Sequence, residues 1–265
     1  MAKTKTTASL QKKVAEGEKF TVLTAYDATF AHRFSEWGID VLLIGDSLGN
    51  VIQGQQTTVP VTMDEMVYHT ANVARGNQGA LLMADLPFNS YGTVEQCLHN
   101  AGRLMQAGAQ MVKIEGGAWL AEHITALGRM GIPTCIHLGL TPQAVNKLGG
   151  FKVQGRDEAA AQAMINDALA AVDAGADMLL LECVPSALGK AITDAVSVPV
   201  IGIGAGPDTD AQVLVSYDLL GFNPNRMAKF VKNYMADNDS IEAAVTAYIR
   251  DVTSGAFPGP EHSFE

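Results

Sequence analysis

The chain has 265 residues, of which 48% are hydrophobic and 17% charged, with a formal net charge of −10. A chain of this length and apolar content can bury a sizeable core, and its length suits one large α/β barrel. It contains no Lys/Arg block, so nucleic acid and anionic membrane are poor partners, and no apolar run is long enough to span a bilayer.

The amino-terminal stretch carries Lys3, Lys5, Lys12 and Lys13 and lacks the apolar core of a signal segment. Three cysteines, Cys97, Cys135 and Cys183, form no CxxC pair, which fits free thiols in a reducing cytoplasm. Residues 5–16 read as a short helix ahead of the first strand, a plug for a barrel floor. Eight apolar runs then follow, at 20–25, 41–46, 81–86, 111–115, 133–137, 178–182, 199–203 and 213–217. They have no polar face, as expected of parallel strands buried on both sides. Amphipathic stretches at 94–107, 118–130, 158–174 and 186–196 separate several of them, and Gly108, Gly131 and Gly175 stand where a left-handed residue ends a helix. Residues 225–252 read as one or two closing helices. Strand and helix alternating eight times predict a single (β/α)8 TIM barrel over 1–265, in preference to an open doubly wound sheet. No GxGxxG follows the first strand to favour the latter.

Five of these strands end in groups that do not belong in a core. Asp46 and Ser47 close the second, Asp85 the third, Lys113 and Glu115 the fourth, His137 the fifth and Glu182 the sixth. Side chains alternate along a strand, so Lys113 and Glu115 share a face. In a barrel these groups can point inward at the carboxyl-end mouth, where barrel enzymes carry out their chemistry. Four ionised carboxylates and one ammonium leave a local charge of about −3, and unpaired buried charge is costly. A hard divalent cation, Mg2+, would offset it, two or three acids serving the metal and one left as a base. Each residue also has a plainer reading: Asp46 as a turn former, Asp85 and Ser47 as caps, Lys113 with Glu115 as a structural ion pair, and His137 and Glu182 as satisfied polar groups. Their repetition at one end of successive strands favours the site. Asp27, after the first strand, is a further rim acid by position. The glycines of Gly202-Ile203-Gly204-Ala205-Gly206 read either as a phosphate cradle or as room for close backbone approach. His32, His69, His99 and His123 lie in helical patterns without metal spacing and read as surface or interface groups.

The motifs Gly45-Asp46-Ser47-Leu48-Gly49, Ala84-Asp85-Leu86-Pro87-Phe88, Val112-Lys113-Ile114-Glu115-Gly116-Gly117, His137-Leu138-Gly139-Leu140-Thr141-Pro142-Gln143, Leu181-Glu182-Cys183-Val184-Pro185 and the tail Glu261-His262-Ser263-Phe264 occur in the order found in one family. In them the chain resembles the 3-methyl-2-oxobutanoate (ketopantoate) hydroxymethyltransferases over nearly its whole length. The resemblance implies transfer of a hydroxymethyl group from 5,10-methylenetetrahydrofolate to C3 of 3-methyl-2-oxobutanoate through a Mg-stabilised enolate, giving ketopantoate for pantothenate and coenzyme A synthesis. By motif it assigns Asp46, Asp85 and Glu115 to the metal. Asp46, Ser47, Asp85 and Lys113 go to the 2-oxo acid, Glu182 becomes the base, and His137 a hydrogen-bonding group near the reacting carbon. It also implies a homo-oligomer, a decamer built from pentameric rings, and the amino-terminal stretch and cysteines place it in the cytoplasm. Asn50, Gln55-Gln56 and Met227-Ala228-Lys229 depart from the family's usual residues without touching these positions. The competing readings are a Mg-dependent 2-oxo acid lyase or mutase of the phosphoenolpyruvate mutase/isocitrate lyase type, and a non-catalytic metabolite-binding barrel.

Overall fold

The computed structural model describes residues 4–224 and 227–265. Eight parallel strands close a barrel in chain order: β1 Phe20–Thr24, β2 Val41–Ile44, β3 Leu81–Asp85, β4 Met111–Glu115, β5 Thr134–Gly139, β6 Met178–Glu182, β7 Val200–Ile203 and β8 Ala211–Leu214. β1 closes on β8 with Phe20 opposite Ala211 and Leu23 opposite Leu214.

Each strand divides its apolar residues between two cores, as a period of two requires. Phe20, Val22, Leu81, Met83, Met111 and Met178 belong to the cluster inside the barrel. Leu23, Leu42, Val112, Ile114, Ile136 and Leu179 belong to the larger layer between strands and helices. The helix Thr7–Ala15 contributes Leu10 to the interior cluster, with Val14 packed against it, so the expected plug is present. Its charged side anchors it. Lys13 and Lys5 reach the buried Asp40 carboxylate at 3.2 and 3.0 Å, and Asp40 also accepts from the Thr21 N–H.

The helices form where local signals place them. Thr62 and Glu65 make a reciprocal capping box for Met63–Gly76, and Thr93 caps Val94–Ala107. Gly108, Gly131 and Gly175 all have positive φ, as the helix-ending reading requires. The expected helix at 118–130 begins instead as a 3-10 turn, Ala118–Leu120, before Ala121–Arg129. Glu158–Asp173 and Ser186–Ala195 lie where expected. Of the expected closing segment, 225 and 226 lie outside the described residues. The remainder forms a 3-10 turn, Tyr234–Asp237, and the helix Ile241–Thr253.

The eighth strand is displaced from the expected 213–217. It runs over Ala211–Leu214, and Ser216–Leu219 is helical. Asp210 and Gln212 hid its start by interrupting the apolar run. The buried Gln212 amide is satisfied by Thr209 Oγ1 at 2.8 Å and the Gly206 carbonyl at 3.1 Å, so a polar side chain is tolerated there.

Candidate active site

Alternation brings Asp85, Lys113, Glu115, His137 and Glu182 to the barrel interior, each in phase with an interior residue of its own strand: Met83, Met111, Cys135 and Leu180. Asp46 is out of phase. β2 ends at Ile44, and the turn at Gly45 swings Asp46 back over the mouth, where its N–H donates to Asp85 Oδ2 at 3.0 Å. All the acids of the expected cluster, with Ser47, Lys113 and His137, line one cavity of about 570 Å³. The structure therefore brings together Asp46, Ser47, Asp85, Lys113, Glu115, His137 and Glu182. Ser47 does not cap the helix Leu48–Val51; its hydroxyl lies 2.9 Å from that of Tyr26.

Lys113 is the ammonium among the acids. Its Nζ lies 3.1 Å from Asp85 Oδ1, 4.0 Å from Glu115 Oε1 and 3.2 Å from His137 Nδ1. Burial disfavours its charge, but Asp85, Glu115 and Asp46 together outweigh burial and raise its pKa. Burial, reinforced by Asp85 and Glu115, pushes the Asp46 carboxyl well above the usual carboxylate range. Glu115 goes the other way: burial opposes ionisation, and His137, with Lys113 and the Gln143 N–H, more than compensates. His137 touches two acids, with Nδ1 3.4 Å from Glu115 Oε1 and Nε2 3.3 Å from Glu182 Oε2. Burial and Lys113 depress its pKa, and these carboxylates reverse the balance, raising it to about 8. Glu182 is the most open of the four acids, its side chain 15% exposed against 3% for Glu115.

The donor set suits a hard cation. Asp85 Oδ1 and Glu115 Oε1 are buried with only the Lys113 ammonium at 3.1 Å and the His137 ring at 3.4 Å beside them, so four carboxyl groups share one ammonium and one imidazole. Among the described residues, however, no three His, Cys, Asp or Glu side chains stand close enough to enclose an ion unaided. A cation held here would draw on water and ligand oxygens as well, the habit of Mg2+.

Three other sequence readings resolve differently. Asp27 is not a rim acid: its carboxylate caps the helix Ala28–Glu36, accepting from Thr29 and Phe30 N–H at 2.8 and 2.9 Å. The glycines at 204 and 206 make room for the chain itself. A Cβ at Gly204 would meet Phe230 and Phe264, and one at Gly206 would meet Ser186. His123 is buried, with its ring edge against Trp119.

Sequence reasoning missed Tyr26, Tyr91 and Gln143. Gln143 closes the motif His137-Leu138-Gly139-Leu140-Thr141-Pro142-Gln143, but nothing in that motif gave it a role. Asn50 and Gln55, two departures from the family pattern, touch each other through an Asn50 Nδ2 donation to the Gln55 carbonyl at 3.0 Å.

A closed parallel (β/α)8 barrel with four acids, a lysine and a histidine gathered at its carboxyl-end mouth belongs to the class of barrel enzymes with an acid-lined site. The family described as ketopantoate hydroxymethyltransferase matches residues 4–260, and the chain belongs to it. A relative named 3-methyl-2-oxobutanoate hydroxymethyltransferase, from Marinobacter nauticus, is 59% identical over 257 residues, covering 97% of each chain. One of the same name from Pseudomonas fluorescens is 58% identical over 260 residues and covers 98% of each. Among solved structures, a putative phosphonomutase from Burkholderia cenocepacia aligns with a TM-score of 0.63 at 18% identity, covering 82% of this chain and 95% of that one. A phosphonopyruvate hydrolase solved with oxalate and Mg2+ aligns at 0.62 and 15% identity, covering 97% and 93%. At such identities the likeness shows the fold alone, so the lyase/mutase reading gains no chemistry from it.

Proposed function

We propose that this protein transfers a hydroxymethyl group from 5,10-methylenetetrahydrofolate to C3 of 3-methyl-2-oxobutanoate, giving ketopantoate, with Mg2+ at the mouth of the barrel. The observation that carries the site assignment is the convergence of Asp46, Asp85 and Glu115 on one cavity, with more carboxylate than the single Lys113 ammonium balances. The substrate follows from near-complete alignment, at 59% identity, with a relative that bears the activity in its name.

Asp46, Asp85 and Glu115 would hold the metal. When bound, Mg2+ would supply Lewis-acid polarisation of the 2-oxo group and so acidify the C3–H. Lys113 faces the carboxylate of the substrate and balances its charge. Ser47, braced by Tyr26, offers a hydroxyl to the 2-oxo acid. Glu182, the most open acid, takes the C3 proton. His137 touches Glu182 through Nε2 and holds its carboxylate toward the cavity. Water attacks the one-carbon unit as its bonds to the two folate nitrogens break, leaving tetrahydrofolate and the carbon at the formaldehyde level. The C3 electron pair then forms the new carbon–carbon bond, and the proton held by Glu182 returns to the new alkoxide oxygen. Phe230 and Phe264 wall the cavity and limit escape of the one-carbon unit.

No helix among the described residues is long and apolar enough to cross a membrane. Together with three free buried cysteines, this supports a cytoplasmic address. Exposed Phe88, Trp119 and Met130 support a homo-oligomer, for which the family suggests a decamer.

The decisive experiment incubates purified protein with 3-methyl-2-oxobutanoate, 5,10-methylenetetrahydrofolate and Mg2+, and follows ketopantoate. Formation that stops on complete chelation supports the reading; no product, or product indifferent to chelation, overturns it.

A further inference from the structure

Gln143 is buried in the loop that follows β5, and every polar atom of its side chain is engaged. Its Nε2 donates to Asp46 Oδ2 at 2.8 Å and to the Leu86 carbonyl at 2.9 Å. Its Oε1 accepts from the Tyr91 hydroxyl at 2.6 Å. Its backbone N–H donates to Glu115 Oε2 at 3.0 Å. One residue thus holds an oxygen of each of two mouth acids that arrive on different strands, β2 and β4.

The orientation of the amide is determined by its partners. An amide has two donor hydrogens on nitrogen and acceptor capacity only on oxygen. A carboxylate and a carbonyl are both acceptors, so nitrogen must face Asp46 and Leu86. A flipped amide would set oxygen against both and strand two buried acceptors. Tyr91, by donating to Oε1, holds the amide in the productive sense. Its own ring is stacked at 13° and 6.2 Å on Trp119.

Gln143 does not line the central cavity. It lines a second groove on the far side of Glu115, with Tyr91 and Trp119. Its contact with the mouth runs through the two carboxylates, Asp46 by its side chain and Glu115 by its backbone N–H. Among the described residues, Gln143 supplies the sole hydrogen bond that the Asp46 side chain accepts. By taking Asp46 Oδ2 and Glu115 Oε2 from behind, it leaves Asp46 Oδ1 and Glu115 Oε1 as the oxygens it does not hold, the second of them 3.4 Å from His137 Nδ1.

We propose that Gln143 is a positioning residue that clamps Asp46 and Glu115 from outside the cavity, with Tyr91 as the lock on its amide. The proposal rests on the reading that these acids serve a divalent cation. Outer partners of metal-binding carboxylates typically set affinity by about 10–100-fold.

The test uses Mn2+ as probe, following loss of its free-ion paramagnetic resonance signal on the folded protein, with crystal structures of the metal-free forms in parallel. Gln143→Met, of similar length but without hydrogen bonding, should weaken Mn2+ binding about 10–100-fold and let the Asp46 carboxylate turn from its wild-type position. Tyr91→Phe removes one oxygen and keeps the ring stack, so it should fold even if Gln143→Met does not. It should weaken binding in the same direction by a smaller factor, and added to Gln143→Met it should have little further effect. Wild-type Mn2+ affinity in both variants overturns the clamp. Failure of the wild-type protein to bind Mn2+ instead overturns the cation reading. In that case the crystal structures still decide the clamp, because an Asp46 carboxylate superimposable on the wild type in Gln143→Met removes Gln143 from the role.

Discussion

His137 and Glu182 meet on neighbouring strands at the open end of the barrel, Nε2 to Oε2 at 3.3 Å, while the other nitrogen of the same ring lies 3.4 Å from Glu115. A single imidazole therefore couples the most open acid to Glu115 and, through it, to the rest of the cluster. With its pKa raised from 6.5 to about 8, the ring is largely protonated at neutral pH before any metal binds.

That shift has a definite sign. The folded pKa of His137 lies above the unfolded value, so its contribution is complete below the unfolded pKa and disappears as pH rises through the folded one. In metal-free protein, the stability difference between wild type and His137→Gln should fall by about 2 kcal/mol from about pH 6 to about pH 9. Urea unfolding across that range measures it. A difference that stays flat, or that grows with pH, contradicts the assigned protonation.

Glu182→Gln keeps the size of the side chain and removes the carboxylate proposed as the base. It should retain binding of the 2-oxo acid and lose exchange of the C3 hydrogen in deuterated water, with turnover reduced by about 100-fold or more. Proton magnetic resonance of 3-methyl-2-oxobutanoate reads the exchange without the folate. Exchange at the wild-type rate would transfer the base role elsewhere.

Much of this site was legible because strand periodicity is rigid. Once 111–115 and 178–182 are strands, Lys113 and Glu115 must share one face and Glu182 must share that of Leu180, and the structure has those strands at the same boundaries with these faces inward. Asp46 was legible only as a residue near a strand end. The alternation of β2 would turn it away, and the turn at Gly45 brings it in. Asp27 shows the converse limit, because an acid after a strand is equally the first residue before a helix, and here the helix amides claim it. Gln143 left no periodic trace. It sits in a loop, and its meaning lies in partners 97 and 52 residues distant along the chain, Asp46 and Tyr91. The eighth strand was displaced for a related reason, since Gln212 is buried through hydrogen bonds that no hydropathy pattern records.

Lys113→Met removes the ammonium from among Asp85, Glu115 and Asp46. Breaking a buried ion pair on one side leaves charge uncompensated, at a cost of about 3–5 kcal/mol. The metal-free variant should therefore melt well below the wild type. Mg2+ should raise its melting temperature more than it raises that of the wild type, because cation binding now also relieves the repulsion. Thermal melts with and without Mg2+ check both statements. Equal Mg2+ increments in the two proteins would mean that Lys113 does not share the charge of these acids.

Gly139 tests whether the backbone beneath Glu182 is fitted to its task. It ends β5 opposite Glu182 with φ +90, and a Cβ there would fall against the Glu182 carbonyl oxygen and within 2.9 Å of Val184. Backbone cannot give way as a flexible side chain can, so Gly139→Ala must shift the segment that aims the base. Gly131 supplies the control, with φ +74 and nothing within 4 Å of its virtual Cβ. Gly131→Ala should cost only the conformational penalty of a left-handed alanine, about 1–2 kcal/mol, and leave turnover intact. Gly139→Ala should lose a similar amount or more and, in addition, lose C3 exchange in the fraction that remains folded. Rates normalised to folded protein by circular dichroism separate the two effects. If both alanines lower stability alike and neither slows exchange, the contact between Gly139 and the Glu182 carbonyl serves packing and not the aim of the base.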